Sequence, residues 1–350
     1  MFIRRYILMI MLLVACATVD ADDRAALLRG DSCLREYNLA EALTHYKEAL
    51  AECDRAVVRM RMAECYYRRH DYRQCVGMLS ALPPDSLDHD AMRELFFCHK
   101  ALAQPAQQRQ WGERLIERYP MDGEMVAELA TSYLIGRQAR KALRICSVYW
   151  LRDHYNYAVN QVLADTYFVE HEWDLAKYAY KELLEVGDST YKNLFNLGVC
   201  YERQQHLEDA RRSFDAAINL SGGQMAGALY HQGVVLNTLG QHDRALQCFE
   251  QALPLILPDS AQLYTCYRGM AESHYAQADY AAAAPLFAQA LIWWPSSLTT
   301  CYYLAICLDA TGERASAVAR YGEFVSRAEA EKDATDELRQ MEADARRRMR

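Results

Sequence analysis

Glycine and proline are scarce, at 15 and 8 of 350 residues. Few positions are therefore built for left-handed turns, and few helices would be broken. No long run alternates β-branched with polar residues, which excludes a sandwich or barrel pattern. No apolar stretch reaches the roughly 20 residues that cross a bilayer core as a helix. HExxH, GxSxG, Walker-type loops and a GxGxxG after a strand are missing, and with them the chemistry those motifs serve. Gly222-Gly223 needs only a turn. CxxC is missing as well. Basic residues do not dominate: the net charge is −8, which argues against nucleic acid as the main partner. The one basic run, Arg346 to Arg350, suits a helix C-terminus.

Apolar residues make up 52% of the chain, enough for a continuous core, so the composition favours an all-helical protein. At the N-terminus, Arg4 and Arg5 precede an apolar segment from Tyr6 to Ala15. This reads as a cleaved export signal. Leu13-Val14-Ala15-Cys16 resembles the bacterial lipobox, in which the cysteine becomes the lipidated first residue. We therefore expect lipidation at Cys16 and an exported periplasmic or outer-membrane lipoprotein. Ala15-Cys16-Ala17 and Val19-Asp20-Ala21 fit ordinary signal peptidase instead, which would leave a soluble exported protein. Asp20, Asp22 and Asp23 would form a solvated tether.

The rest of the chain repeats itself. Small residues recur at Gly30, Ala63, Ala130, Ala164, Gly198, Gly233, Ala271 and Ala305. A second series follows twelve residues behind, at Ala42, Cys75, Ala142, Ala176, Ala210, Ala245, Ala283 and Ala317. The steps are close to 34, with one doubled step and a longer one of 38 from Gly233 to Ala271. Four residues beyond the second series stand Tyr46, Tyr180, Phe214, Phe249, Phe287 and Tyr321, on the same helix face. Small residues permit close helix approach, and the aromatics fill the space beside them.

Leu197-Gly198-x-x-Tyr201 followed by Ala210, Phe214 and Ala217 resembles the tetratricopeptide repeat. Leu163-Ala164-x-x-Tyr167 and Leu129-Ala130-x-x-Tyr133 resemble it too, and Pro120 and Pro295 stand where second helices should stop. The resemblance implies an all-α, right-handed superhelical solenoid of about nine helix-turn-helix units. Units start near 23, 56, 89, 123, 157, 191, 226, 264 and 298. The implied organisation is an export signal and tether over 1–22, a solenoid over 23–326 and a charged capping helix over 327–350. The third unit departs most, with Phe96 and Gln108 at its small positions, although Pro105 suits the first turn of a helix. Leu253 to Pro258 fills a longer loop, which is expected to loosen the stack or kink it.

Eleven cysteines lie beyond Cys16. Cys65, Cys98, Cys200 and Cys307 fall at one equivalent position and read as buried packing residues. A disulfide framework is not expected, with Cys266 and Cys301 left open as a pair in an oxidising compartment. His70, His171, His206 and His242 sit near inter-helix turns and read as surface polar residues. Neither metal nor cofactor is expected, and no catalytic residue is assigned.

The resemblance also implies a concave groove lined by first helices, where a protein or peptide partner lies. The positions carried over are Met60, Tyr67, Phe168, Phe195, Arg203, Tyr230, Asn237, Arg268, Tyr275 and Tyr302. Rigid aromatics and arginines of this kind anchor interfaces. The Lys/Asn carboxylate clamp of chaperone-binding members is absent: Gln161/Asp165, Phe195/Val199 and Tyr230/Val234 stand there. The expectation is a non-enzymatic scaffold or adaptor of the cell envelope. A glycan- or metal-binding delivery module and a structural spacer are the alternatives.

Overall fold

A computed structural model describes residues 25–52, 56–256, 259–331 and 335–350. Among them no strand occurs, and the chain runs as antiparallel helix pairs. The pairs are α1 (25–35) with α2 (Leu39–Glu52), α3 (Ala56–Arg68) with α4 (Tyr72–Ser80), and α5 (His89–Ala101) with α6 (Pro105–Arg118). Next come α7 (Gly123–Ile135) with α8 (Ala139–Trp150), α9 (Tyr157–Val169) with α10 (Trp173–Glu185), and α11 (Tyr191–Arg203) with α12 (Leu207–Leu220). The last pairs are α13 (Ala226–Thr238) with α14 (His242–Ala252), α15 (Ser260–Ala276) with α16 (Tyr280–Trp293), and α17 (Leu298–Ala310) with α18 (Arg314–Ala328). A final helix, α19, runs Asp336–Arg348. The chain forms two compact units, one ending at Thr166 and the other beginning at Tyr167.

Local chemistry starts and stops these helices. Asp88, Asp122, Thr190, Asp259, Ser297 and Thr335 accept backbone N–H bonds as N-caps of first helices and of α19. Pro105 occupies the first turn of α6, and Pro120 and Pro295 follow the C-caps of α6 and α16.

The turn inside each pair is the same device nine times. Tyr37, His70, Ala103, Arg137, His171, Gln205, Gly240, Ala278 and Gly312 all have positive φ, between 54° and 85°. The next residue's N–H reaches back five positions, as from Asn38 to Cys33 at 2.8 Å, Gln138 to Tyr133 at 2.8 Å and Asp279 to His274 at 2.9 Å. This satisfies carbonyls that the ending helix leaves open. His70 and His171 are thus turn residues in left-handed backbone.

Packing explains the small and aromatic series. A Cβ placed on Gly198 would meet the Phe214 ring at 2.6 Å, and one on Gly233 would meet Phe249 at 2.8 Å. The third unit is not degenerate but inverted. Phe96 fills the small slot and is fully buried, while Gly112 takes the place of the aromatic. A Cβ on Gly112 would lie 3.0 Å from the Phe96 ring and 2.9 Å from Leu129. The volume is conserved and the residues have exchanged helices.

The described part of the insertion before α15 packs inward. Leu253–Leu255 forms a 3₁₀ turn, and Leu253, Leu255 and Ile256 pack on the cluster of Leu229, Leu236, Phe249 and Cys266. Aliphatic residues in that loop bury themselves for the ordinary hydrophobic reason. At the other end α19 lays Leu338, Met341, Ala345 and Met349 against Cys301, Tyr302, Tyr321 and Phe324.

Candidate functional site

In the unit ending at Thr166, Met60 and Tyr67 lie on α3 and are half-buried. Met60 lines a cleft of about 200 Å³ with Arg61, Glu64, Asp88, Asp90 and Glu94. Burial pushes the Glu94 carboxyl up, and Glu64, Asp88 and Asp90 push it further, to about 8. The Cys75 thiol donates to it at 4.0 Å. Tyr67 sits edge-on to Tyr72, with ring centres 6.2 Å apart.

The other eight expected positions belong to the second unit. Phe168 packs edge-on against Trp173 at 5.5 Å and beside Tyr180 at 6.3 Å. Phe195 stacks on Tyr191 at 5.7 Å and meets His231 of the next first helix at 5.4 Å. His231 in turn lies over Phe214 and donates from Nδ1 to the Glu202 carboxylate at 2.7 Å. Tyr230 is half-buried between His231 and Phe249. Arg268 donates to Glu272 at 2.7 Å and to the Tyr264 hydroxyl at 3.2 Å. Burial acts to raise the Tyr264 phenol, but Ser297, Thr300 and Arg268 outweigh it and hold the group below the usual range. Tyr275 packs edge-on against Tyr303, Tyr280 and Phe287. Arg203 is exposed.

Two expected positions are spent inside the fold. Tyr302 is 8% exposed, and its hydroxyl donates to Asp344 of α19 at 2.8 Å. Asn237 donates to the Gly269 carbonyl at 3.0 Å and accepts from Ser273 at 2.6 Å. The expectation treated both as free because periodicity assigns a face and says nothing of what covers it. His231 and Tyr264 were missed. His231 has no counterpart in other units, whereas Tyr264 recurs as Tyr157 and Tyr191 seven residues before the small position, a series that could have marked it.

A cavity of about 730 Å³ lies away from the expected groove positions. It opens among α16, α17 and α18, lined by Ala284, Pro285, Leu304, Leu308, Arg320 and Glu323.

Family models described as tetratricopeptide repeat match residues 162–224 and 224–291. Over residues 162–291 the chain is thus similar to tetratricopeptide repeats. The fold agrees beyond them. Over 91% of this chain and 75% of the other, it superposes on a chain of the APC/C hetero-tetramer Cut9-Hcn1 with TM-score 0.52 at 15% identity. A tetratricopeptide repeat protein from Parabacteroides merdae ATCC 43184 matches with TM-score 0.50 at 13% identity, over 74% of this chain and 98% of that one. At these identities the likeness shows the fold alone. A comparison with curated protein sequences gave no match. Tetratricopeptide repeats generally mediate protein–protein interactions.

The ten cysteines among the described residues are free thiols, Cys266 and Cys301 included. Cys65, Cys98, Cys200 and Cys307 are fully buried, in keeping with packing roles. Burial alone raises the Cys146, Cys266 and Cys307 thiols to about 12. That leaves them inert as nucleophiles. No described helix is long and apolar enough to cross a membrane. Cys16 and the 1–22 segment lie outside the described residues.

Proposed function

We propose that this chain is a non-enzymatic binding scaffold of the cell envelope, taking a partner peptide or helix on its first-helix faces. One observation carries the reading. On α11, α13 and α15 the side chains of Phe195, Tyr230, Arg268 and Tyr275 are half-exposed; the three aromatics are held by neighbours on adjacent helices, and Arg268 by Tyr264 and Glu272 of its own helix. Aromatic and arginine anchors already fixed in place lose little further entropy on binding. Arg203 on α11 and Glu272 on α15 add exposed charge of both signs beside them, which favours register over raw affinity.

Photo-crosslinking residues at Arg203 and Glu272 test this, with exposed Gln247 on α14 as the comparison. The expected result is a partner band from envelope extracts at the two first-helix positions, lost in Phe195→Ala/Tyr230→Ala protein of unchanged helicity. Bands from Gln247 alone would move the binding surface to the second helices.

The envelope assignment rests on the lipobox-like Leu13-Val14-Ala15-Cys16. Mass spectrometry of the mature N-terminus should find an acylated Cys16. A free N-terminus at Thr18 or Asp22 would sink the lipid anchor while leaving the scaffold reading intact.

A further inference from the structure

The buried cysteines of this chain are accounted for by packing, but Cys33 is not. It stands one residue past the position that Cys65, Cys98, Cys200 and Cys307 share, which Ser32 occupies in the first pair. It is also partly exposed. Glu41 and His45 stand one helical turn apart on α2 and face it. The Cys33 sulfur, a Glu41 carboxylate oxygen and a His45 ring nitrogen all lie within 4.8 Å of one another.

We propose that Cys33, Glu41 and His45 bind a divalent metal ion of the zinc class, closing α1 onto α2. Zinc bound tetrahedrally to sulfur, nitrogen and oxygen sets its ligand atoms about 3.5 Å apart, so small side-chain rotations complete the site. A water takes the fourth position. A thiolate beside an imidazole selects zinc over magnesium or calcium, which take oxygen ligands. The supporting contacts are also present. The Asn38 amide donates to Glu41 Oε2 at 2.5 Å, and the Glu48 carboxylate lies 3.2 Å from His45 Nδ1. Partners of this kind orient metal ligands. Binding exchanges the Cys33 thiol proton for a sulfur–zinc bond and releases that proton to solvent.

The three residues show no motif spacing, because two come from one helix and the third from its antiparallel neighbour. The sequence expectation of no metal therefore had nothing to find. The site goes beyond the scaffold reading and does not depend on it.

Zinc titration by calorimetry on the full chain, free of any histidine tag, is the test. One equivalent should bind, with proton release that depends on the buffer. Cys33→Ser and His45→Gln should each lose that equivalent, and Glu48→Gln should weaken it about tenfold. Cys248→Ser, at another partly exposed thiol, should keep it. Cobalt in place of zinc should give a thiolate charge-transfer band that Cys33→Ser removes. Absence of uptake by the wild type, or uptake unchanged in both Cys33→Ser and His45→Gln, overturns the proposal. Circular dichroism of each variant separates loss of metal from loss of fold.

Discussion

Ala103 and Ala278 hold left-handed backbone, at φ 54° and 59°, where the equivalent turns of the seventh and ninth pairs have Gly240 and Gly312. A residue with a Cβ pays roughly 1–2 kcal/mol for that conformation. Ala103→Gly and Ala278→Gly should each raise the urea midpoint, by about 1 kcal/mol of stability. Gly240→Ala should lower it similarly. No shift in any of the three would mean that the cap bonds, not the dihedral, govern the turn. Glu94 gives a second residue-scale prediction. Its carboxyl is held at about 8 in the fold, against about 4.3 in an unfolded chain. The folded state therefore binds the proton more tightly. Its contribution is fully present below pH 4 and is lost as pH rises through about 8. Glu94→Gln removes that loss, so its advantage over wild type should grow between pH 5 and pH 9, by on the order of 4 kcal/mol. Melting curves across that range check it, and a constant difference would show Glu94 ionised and solvated throughout. Neither feature was legible beforehand. The turn residues are Tyr, His, Ala, Arg, Gln and Gly, with no shared chemistry. Glu94 gains its acidic neighbours Asp88 and Asp90 from its own segment but Glu64 from another helix.

Helices were the level at which the sequence spoke most clearly. The spacing of Gly198, Ala210 and Phe214 encodes both helices of a pair, because each small residue requires its large partner at fixed distance. The Phe96/Gly112 exchange escaped the pattern for the same reason. A search for small-then-large at fixed slots cannot see large-then-small, though the volume is equal. Pro285, inside α16, was not anticipated either. It removes one backbone bond from a helix otherwise rich in alanine, and its ring faces the cavity beside α18. Charge suggested a capping helix over 327–350; α19 runs Asp336–Arg348, and its apolar stripe explains how it docks. Ending the chain after Ala328 would uncover Tyr302, Phe324 and Val325, which α19 now covers. Such a truncation should lower Tm by several degrees and increase binding of a hydrophobic dye. An unchanged Tm would make α19 an appendage, and Tyr302 would then return to the set of surfaces open to a partner.

For the molecule as a whole, function was less legible than fold because binding surfaces are defined by what remains uncovered. Ten positions were carried over from the tetratricopeptide resemblance, but Tyr302 and Asn237 are consumed by neighbours, and Met60 and Tyr67 belong to a different compact unit from the rest. In a repeat protein each pair is stabilised by its immediate neighbours, so part of the array can fold without the remainder. The division between units falls inside α9, and a fragment should keep that helix whole. Residues 157–350 contain Phe168, Phe195, Arg203, Tyr230, Arg268 and Tyr275, with α19 closing the far end. This fragment is expected to unfold cooperatively and to form the same crosslinks from Arg203 and Glu272 as the full chain. If it folds but the crosslinks vanish, the partner must also engage the unit that carries Met60 and Tyr67. The acidic cleft around Glu94 would then become the next surface to mutate.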